Sequence, residues 1–586
     1  MGKYVNIQEA KTHLSKLINS VVNKEDDVII ANRGVPVVRL QPIGEANANS
    51  SDNISYGPNH PNGLQALGRD TLSSGHDIWP RSLDHIIHLT ESYNRIPVCH
   101  IIDRGDLTPI SVFKKLKALS RQCFILESLE EESSTGRYTF IGFDPRFAIS
   151  CKDGKMTISG GTTIDIDTPD PAAYIKHIIE ENKSPVISEL PPFTGGLVGY
   201  FSYDYIHYSE PKLKLDAHDE EGFKDFDLML FDKVYAFDNL LDMIYIIYNM
   251  PTEDVEENYN LAKANLDQMT KQIFTGKDAI IEPLTLTSEL EPLFEKEGFM
   301  DMVMHGKHYI KEGDIFQVVL SNRLKASAKG SLFDTYRYLR KHNPSPYMFY
   351  FSGADMEIAG ASPETLVKLT DRKVVTYPLA GSRPRGANDE EDAIFTEDLL
   401  SDEKELAEHN MLVDLGRNDI GKISTFGSVR VEEYMKVLKF SHIMHIGSVV
   451  SGQITEGNGA IDAIDAVLPA GTLSGAPKIR ACEIINELEN EKRGIYGGAI
   501  GYICNNGNMD TCIAIRIAYK KNGNVYVRSG AGIVADSDPA TEYVETQNKM
   551  KAVLNALHAD PADIEDYEKS DKTDKTVKIS KNGGVL

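Results

Sequence analysis

Between residues 93 and 557, β-like apolar runs follow one another, in the second half often with no helical segment between them. Such runs include Arg137–Ile141, Leu228–Tyr248, Asp314–Leu324, Tyr347–Phe351 and Gly497–Ile503. Parallel neighbours need a crossover of about a dozen residues or more, usually a helix. Their succession therefore favours antiparallel pairing and the α+β class over a doubly wound sheet. Helical spacing is expected at 401–415, 477–489 and 540–557. At 586 residues the chain exceeds one ordinary hydrophobic core, which implies one large catalytic domain or two fused layers with appendages.

The appendages are visible as shifts in pattern. Residues 1–44 form a small αβ unit. Asn6 and Glu9 read as a capping box, Ala10, Leu14, Leu17, Ile18 and Val21 follow helical spacing, and 28–30 and 35–40 are β runs around an Asn32-Arg33-Gly34 turn. Residues 45–80 are rich in Asn, Ser, Gly, Pro and His, so a flexible linker is expected, taken to extend to 92. Residues 558–586 are a polar tail.

Acidic residues outnumber basic ones 87 to 62, which argues against attraction of the whole chain to DNA or an anionic membrane. An anionic substrate would then need local cations or a metal. The six cysteines form no C-x-x-C pair and no zinc spacing, as expected of a reducing, cytoplasmic protein. No signal pattern and no apolar run of about 20 residues points to a membrane.

Two acidic pairs stand out. Glu405 and Glu408 fall at i, i+3, as do Glu542 and Glu545, with Lys549 four residues beyond. Each pair faces one side of a helix. One such pair is ordinarily a solvated face; two converging pairs would repel unless a hard cation such as Mg²⁺ sat between them. Glycine-rich segments at 381–386, 471–478 and 530–532 could offer backbone N–H groups to an anion, or could be ordinary turns. In the 471–478 segment Pro477 is expected in the first turn of the following helix. Arg516, in an apolar β-like run, is either a structural ion pair or a carboxylate clamp.

Together with Ile315–Ser321, Ala361–Glu364, Pro378–Gly386, Glu403–Asp419 and Leu468–Lys478, these segments closely resemble the chorismate-utilising enzymes, and within them the anthranilate synthase component I family. The resemblance covers roughly residues 93–557, with the motifs in family order. It implies an α+β fold built as a large two-sheet antiparallel sandwich flanked by helices. It divides the chain into an N-terminal part, 93–275, carrying a tryptophan segment, and a chorismate-binding region, 276–557. The activity implied is Mg²⁺-dependent conversion of chorismate and ammonia to anthranilate and pyruvate.

The family also implies roles. Glu408 and Glu545 match the Mg²⁺ ligands, with Glu405 and Glu542 beside them. Tyr496, Arg516, Gly381, Ser382, Gly530, Ala531, Gly532 and Lys549 match chorismate contacts. Glu364 matches the general acid for the departing 4-hydroxyl, and crowding by other carboxylates is expected to raise its pKa. His445 matches the histidine of pyruvate loss. Gln317 stands where hydroxylating relatives carry a lysine base, so water is not the nucleophile. Ala380 stands where aminodeoxychorismate synthases carry a lysine; that activity is the alternative, with a non-catalytic regulatory or DNA-binding fusion as a third reading. None of the cysteines has a glutaminase context, so a separate glutamine amidotransferase subunit is implied. Glu127, Ser128, Pro346, Tyr347 and Met348 match a feedback site for tryptophan. Residues 1–44 resemble the DNA-binding half of Phd/YefM-type antitoxins, with Lys11, Lys16, Arg33 and Arg39 as candidate phosphate contacts. Given the acidity of the chain, dimerisation into a homo-oligomer is expected of this module rather than DNA binding.

Overall fold

The computed structural model describes strands Lys3–Asn6, Val28–Asn32 and Val35–Leu40, and residues 77–129, 134–439 and 443–559. The three N-terminal strands form their own sheet. Lys3–Asn6 runs parallel to Val28–Asn32, which pairs antiparallel with Val35–Leu40. The helix expected over residues 10–21, the phosphate contacts Lys11, Lys16 and Arg33, most of the 45–80 segment and the tail beyond 559 lie outside the described residues.

Two large sheets make up the second unit, which runs from Ser73. Among the described residues one has twelve strands and the other fourteen, and all their pairings are antiparallel. The antiparallel pairing expected from the succession of β runs, and the two-sheet sandwich implied by the resemblance, are thus the architecture found. Between the sheets lie Phe124, Phe193, Phe231, Phe349, Phe351 and Tyr519. Helices Pro109–Lys117, Val255–Thr275, Phe333–His342 and Pro539–Leu557 contribute to the core on the outer face of the larger sheet. Helices Pro171–Glu181, Glu403–Gly421 and Ala460–Val467 cover the smaller one.

The chain passes repeatedly from one sheet to the other within a few residues. Phe226–Phe231 belongs to the smaller sheet and Lys233–Asp238 to the larger, so the continuous run read over 228–248 is three strands, the third being Met243–Pro251. Only Asp232 marks the first break, and Asp242, at φ 58°, helps mark the second. Met356–Ser362 lies in the larger sheet and Thr365–Thr370 in the smaller. Met509–Ile513 lies in the smaller and Ile517–Lys521 in the larger. These last two crossings are neighbours: Thr365 pairs with Cys512, and the Ile513 N–H donates to the Glu364 carbonyl at 2.9 Å.

One expected boundary shifts. The linker does not reach 92: Asp77–Trp79 pairs with the Arg95–Asp103 strand, and 3₁₀ turns occupy Leu83–His85 and Ile87–Glu91. Residues 93–275 and 276–557 share a sheet, in which strands Gly196–Phe201 and Ala499–Cys504 lie side by side.

Candidate active site

Capped helix starts position the acidic pairs. Asp402 accepts hydrogen bonds from the Lys404 and Glu405 N–H groups and opens helix Glu403–Gly421. Asp538 accepts from the Thr541 N–H and opens helix Pro539–Leu557. Such caps satisfy N–H groups that have no partner within the helix and hold the first turn in place. Glu405 and Glu542 therefore sit at anchored helix ends, with Glu408 and Glu545 one turn on.

Within each pair the carboxylates oppose one another. Burial, then the Glu408 charge, raises the pKa of Glu405; burial raises that of Glu542, with Glu545 adding to it. Among the described residues no three His, Cys, Asp or Glu side chains close into a metal cage. Glu545 is engaged instead by Lys549 at 2.7 Å, and Arg383 lies 3.6 Å from Glu405. The donors in each pair are hard carboxylate oxygens. Mg²⁺ fits such a set, because it keeps waters and substrate oxygens and uses only one or two carboxylates.

Several other residues that match the family lie against one another. The Gln317 amide lies 3.4 Å from Glu408 Oε1, and its Oε1 is buried with no partner among the described residues. A Cβ on Gly532 would fall 2.6 Å from Gln317 Nε2, and one on Gly530 would fall 3.1 Å from the Tyr496 hydroxyl. The glycines at 530 and 532 thus let Tyr496 and Gln317 pack directly against the backbone, where a side chain would clash, with Ala531 buried between them. Lys549 Nζ donates to the Gly530 carbonyl at 3.1 Å. Gly381, at φ 65°, sits in a bulge of the Leu379–Pro384 strand; a Cβ there would meet Leu399 and Glu405. Ser382 pairs with His445 in register but is exposed.

Glu364 and Arg516 sit at the two neighbouring crossings between sheets. The expectation that Arg516 lies within a strand is corrected: it is a bend residue at φ 52°. Among the described residues its guanidinium makes no hydrogen bond or ion pair; burial lowers its pKa and the Glu364 charge opposes that. Of the two readings left open by the sequence, a structural ion pair is absent and a carboxylate clamp fits. Glu364 has its pKa raised to about 7. The expected cause was carboxylate crowding. The cause found is desolvation, opposed by the Thr472 hydroxyl, which donates to Oε1 at 3.1 Å, and by the charges of Lys549 and Arg516.

His445 Nδ1 lies 2.8 Å from the Gly381 carbonyl. A carbonyl only accepts, so Nδ1 carries the proton and Nε2 is the acceptor nitrogen. Burial lowers the pKa of this imidazole, and the Arg516 and Lys549 charges push the same way.

Pattern reading does not single out Thr472, whose segment it leaves as either an anion loop or an ordinary turn. It forms a 3₁₀ turn over Gly471–Leu473, and Gly475–Ala476 pairs with the Gln317–Lys329 strand. Pro477 precedes helix Lys478–Glu489 rather than opening its first turn, and Lys478 is engaged by Asp419 at 2.7 Å. In the 381–386 segment Arg383 is held by Asp398 and Asp402, and Arg385 by Asp392. Also unforeseen is the buried network in which Glu489 takes Arg493, Arg528 and the Ser321 hydroxyl, behind Tyr496 and Gly530. Glu489 and Arg493 are four residues apart, but Ser321 and Arg528 lie far along the chain, so no local pattern marks the network.

The tryptophan-matching residues come together on two neighbouring strands. Met348 pairs with Glu127 in the antiparallel register of Tyr347–Ser352 and Cys123–Glu127, and the Leu129 N–H reaches the Ser345 carbonyl, with Pro346 beside it. Ser128 Oγ and Glu127 Oε2 are buried without a hydrogen-bond partner among the described residues.

The chorismate binding enzyme family matches residues 121–555, and the Phd/YefM antitoxin family of type II toxin–antitoxin systems matches residues 3–48. Anthranilate synthase component 1 of Pseudomonas aeruginosa is 44% identical, over 80% of this chain and 96% of its own length. That of Aquifex aeolicus is 42% identical over 81% and 97%. The crystal structure of anthranilate synthase component I from Streptococcus pneumoniae superposes with TM-score 0.64 at 38% identity, covering 77% of this chain and 98% of that one. The menaquinone-specific isochorismate synthase of Escherichia coli shares the fold alone, with TM-score 0.58 at 16% identity. With its two-sheet sandwich, its acid at a sheet crossing and its motifs matched along three quarters of its length, the chain belongs to the chorismate binding enzyme family, among the anthranilate synthase component 1 proteins.

Proposed function

We propose that this protein converts chorismate and ammonia to anthranilate, pyruvate and water. The observation that carries the reading is Glu364: a carboxyl raised to about 7, beside an arginine with no ion-pair partner among the described residues, and sharing the Arg516 and Lys549 charges with a histidine whose Nδ1 is held by the Gly381 carbonyl. In the first step the ammonia lone pair forms a bond to the ring. The 4-hydroxyl leaves as water with the proton that Glu364 supplies. An acid near neutral pKa can hold that proton at working pH and still release it. In the second step His445 Nε2 takes the ring proton at the aminated carbon. The electron pair makes the ring aromatic as the bond from the ring to the enolpyruvyl oxygen breaks, and the side chain departs as enolpyruvate, which takes up a proton to become pyruvate. Arg516 and Tyr496 would grip the side-chain carboxylate, with the Gly530 and Gly532 backbone beside it. Gln317 cannot deprotonate water, which leaves ammonia, already a nucleophile, as the attacking group.

Glu408 and Glu545, with Glu405 and Glu542, would hold Mg²⁺, which neutralises the ring carboxylate of the substrate when bound. Binding would require Glu545 to exchange Lys549 for the metal. A separate glutaminase subunit would supply ammonia. Tryptophan would bind at Glu127, Ser128 and Pro346–Met348, where two buried polar atoms lack partners. The test is anthranilate fluorescence from purified chain, chorismate and ammonium, with and without Mg²⁺. Turnover should require Mg²⁺, and glutamine should not replace ammonium. A product that keeps the enolpyruvyl group would overturn the assignment in favour of the aminodeoxychorismate reaction.

A further inference from the structure

Tyr347 belongs to the larger sheet, yet its hydroxyl reaches the smaller one. It lies 2.9 Å from Thr365 Oγ1 and 2.8 Å from Asp510 Oδ1. A phenol has one proton. Asp510 is a carboxylate that also holds Lys368 at 3.0 Å, so the phenol donates to Asp510 and accepts from the Thr365 hydroxyl. Burial and the Asp510 charge keep the phenol protonated.

The atoms it joins frame both crossings. Thr365 follows Glu364 directly and pairs with Cys512; Asp510 lies on the Met509–Ile513 strand that leads to Arg516. Opposite Tyr347 in its own sheet is Ser362, whose hydroxyl donates to the Ile513 carbonyl at 2.7 Å. On its other side the same strand pairs with the one that ends at Glu127 and Ser128, the residues with unsatisfied buried oxygens. One hydroxyl therefore ties the effector segment to the two residues that would hold the leaving group's proton and the substrate's carboxylate.

We propose that Tyr347 and Thr365 are positioning residues: the Thr365–Tyr347–Asp510 hydrogen-bond chain transmits occupancy of the Ser128–Met348 segment to the placement of Glu364 and Arg516. The inference rests on the reading of that segment as a tryptophan site. A ligand that draws Ser128 and the 346–348 strand toward itself moves the Tyr347 hydroxyl, and the crossing moves with it. The coupling is reciprocal, so chorismate must weaken tryptophan binding by the factor by which tryptophan weakens chorismate binding.

The experiment uses the full chain, with ammonium-driven turnover and calorimetric titration of L-tryptophan, with and without chorismate and with Mg²⁺ left out to prevent turnover. In wild type, tryptophan should raise the half-saturating chorismate concentration, and chorismate should raise the tryptophan Kd. Thr365→Val removes the donor and keeps the shape. It should bind tryptophan alone within about threefold of wild type, while the mutual effect falls by about tenfold. Tyr347→Phe should lose the same coupling through the other partner, and Thr365→Ser should restore it. A purely structural role would change stability without changing the ratio of the two Kd values. Undiminished mutual effects in both Thr365→Val and Tyr347→Phe would overturn the relay. A wild type that binds no tryptophan would overturn the effector reading beneath it.

Discussion

Glu364 is useful because it is held where its charge is poorly solvated. Its folded pKa, about 7, lies above the ordinary 4.5, so the folded state binds this proton more tightly than the unfolded chain. Stability therefore declines as pH rises from the ordinary value through the folded one. Glu364→Gln keeps an acceptor for Thr472 and removes the charge. Its melting temperature should exceed that of wild type at pH 8 and match it near pH 4, while turnover falls by about 10²–10⁴-fold. In wild type, kcat at constant free ammonia should fall as pH rises above about 7, because the acid must carry its proton. A flat profile would remove Glu364 from that role. His445 should fail differently. Replacing it by Gln leaves the acid intact, so amination continues, and an aminated product that retains pyruvate should accumulate. Chromatography that shows anthranilate alone, at the wild-type rate, would reject the assignment.

At the scale of the element, the two capped helices set carboxylates against each other. Burial raises Glu405 in helix Glu403–Gly421 and Glu542 in Pro539–Leu557, and the Glu408 and Glu545 charges add to it. A divalent cation would relieve both repulsions at once. Mg²⁺ should accordingly raise the melting temperature of wild type, by an amount that grows with the logarithm of its concentration above Kd. In Glu408→Gln that rise should vanish, and Mg²⁺-dependent turnover with it, while the fold persists by circular dichroism. An equal thermal shift in the variant would move the metal elsewhere. The crossing segments are the other elements of consequence. A residue between two strands of different sheets lies outside both regular ladders, so its side chain need not follow the pleat of either; the carbonyls of Glu364 and Arg516 accept from Ile513 and Ala361. Glu364 and Arg516 both use that position.

For the whole molecule, the boundary of the catalytic unit is the testable point. Asp77–Trp79 extends the larger sheet beside the Arg95–Asp103 strand, and Tyr259 donates to the Pro80 carbonyl at 3.0 Å. Removing residues 1–72 should leave ammonium-driven turnover unchanged. Removing residues 1–90 strips that strand and bares the sheet edge, so it should lower the melting temperature and favour association through the exposed strand. Equal stability of the two truncations would show that the strand contributes nothing. Among the described residues no helix is long and apolar enough to cross a membrane.

The sequence by itself was enough for the class of the fold and for naming the candidate site residues. Strands that follow one another without crossover helices can only pair antiparallel at short range, and Glu405, Glu408, Glu542 and Glu545 declare themselves by helical spacing, which is local. What the tertiary structure decided is everything that depends on partners distant in the chain. Residues 228–248 read as one run because the break at Asp232 is a change of sheet, and no local propensity encodes which sheet a strand joins. Arg516 looked like a strand residue for the same reason. The Glu364 pKa was anticipated in direction but not in cause: desolvation depends on what surrounds a side chain, and Thr472, 108 residues away, becomes its neighbour only when the sandwich closes. The Tyr347 hydroxyl, which joins the two sheets, has no signature short of the folded molecule.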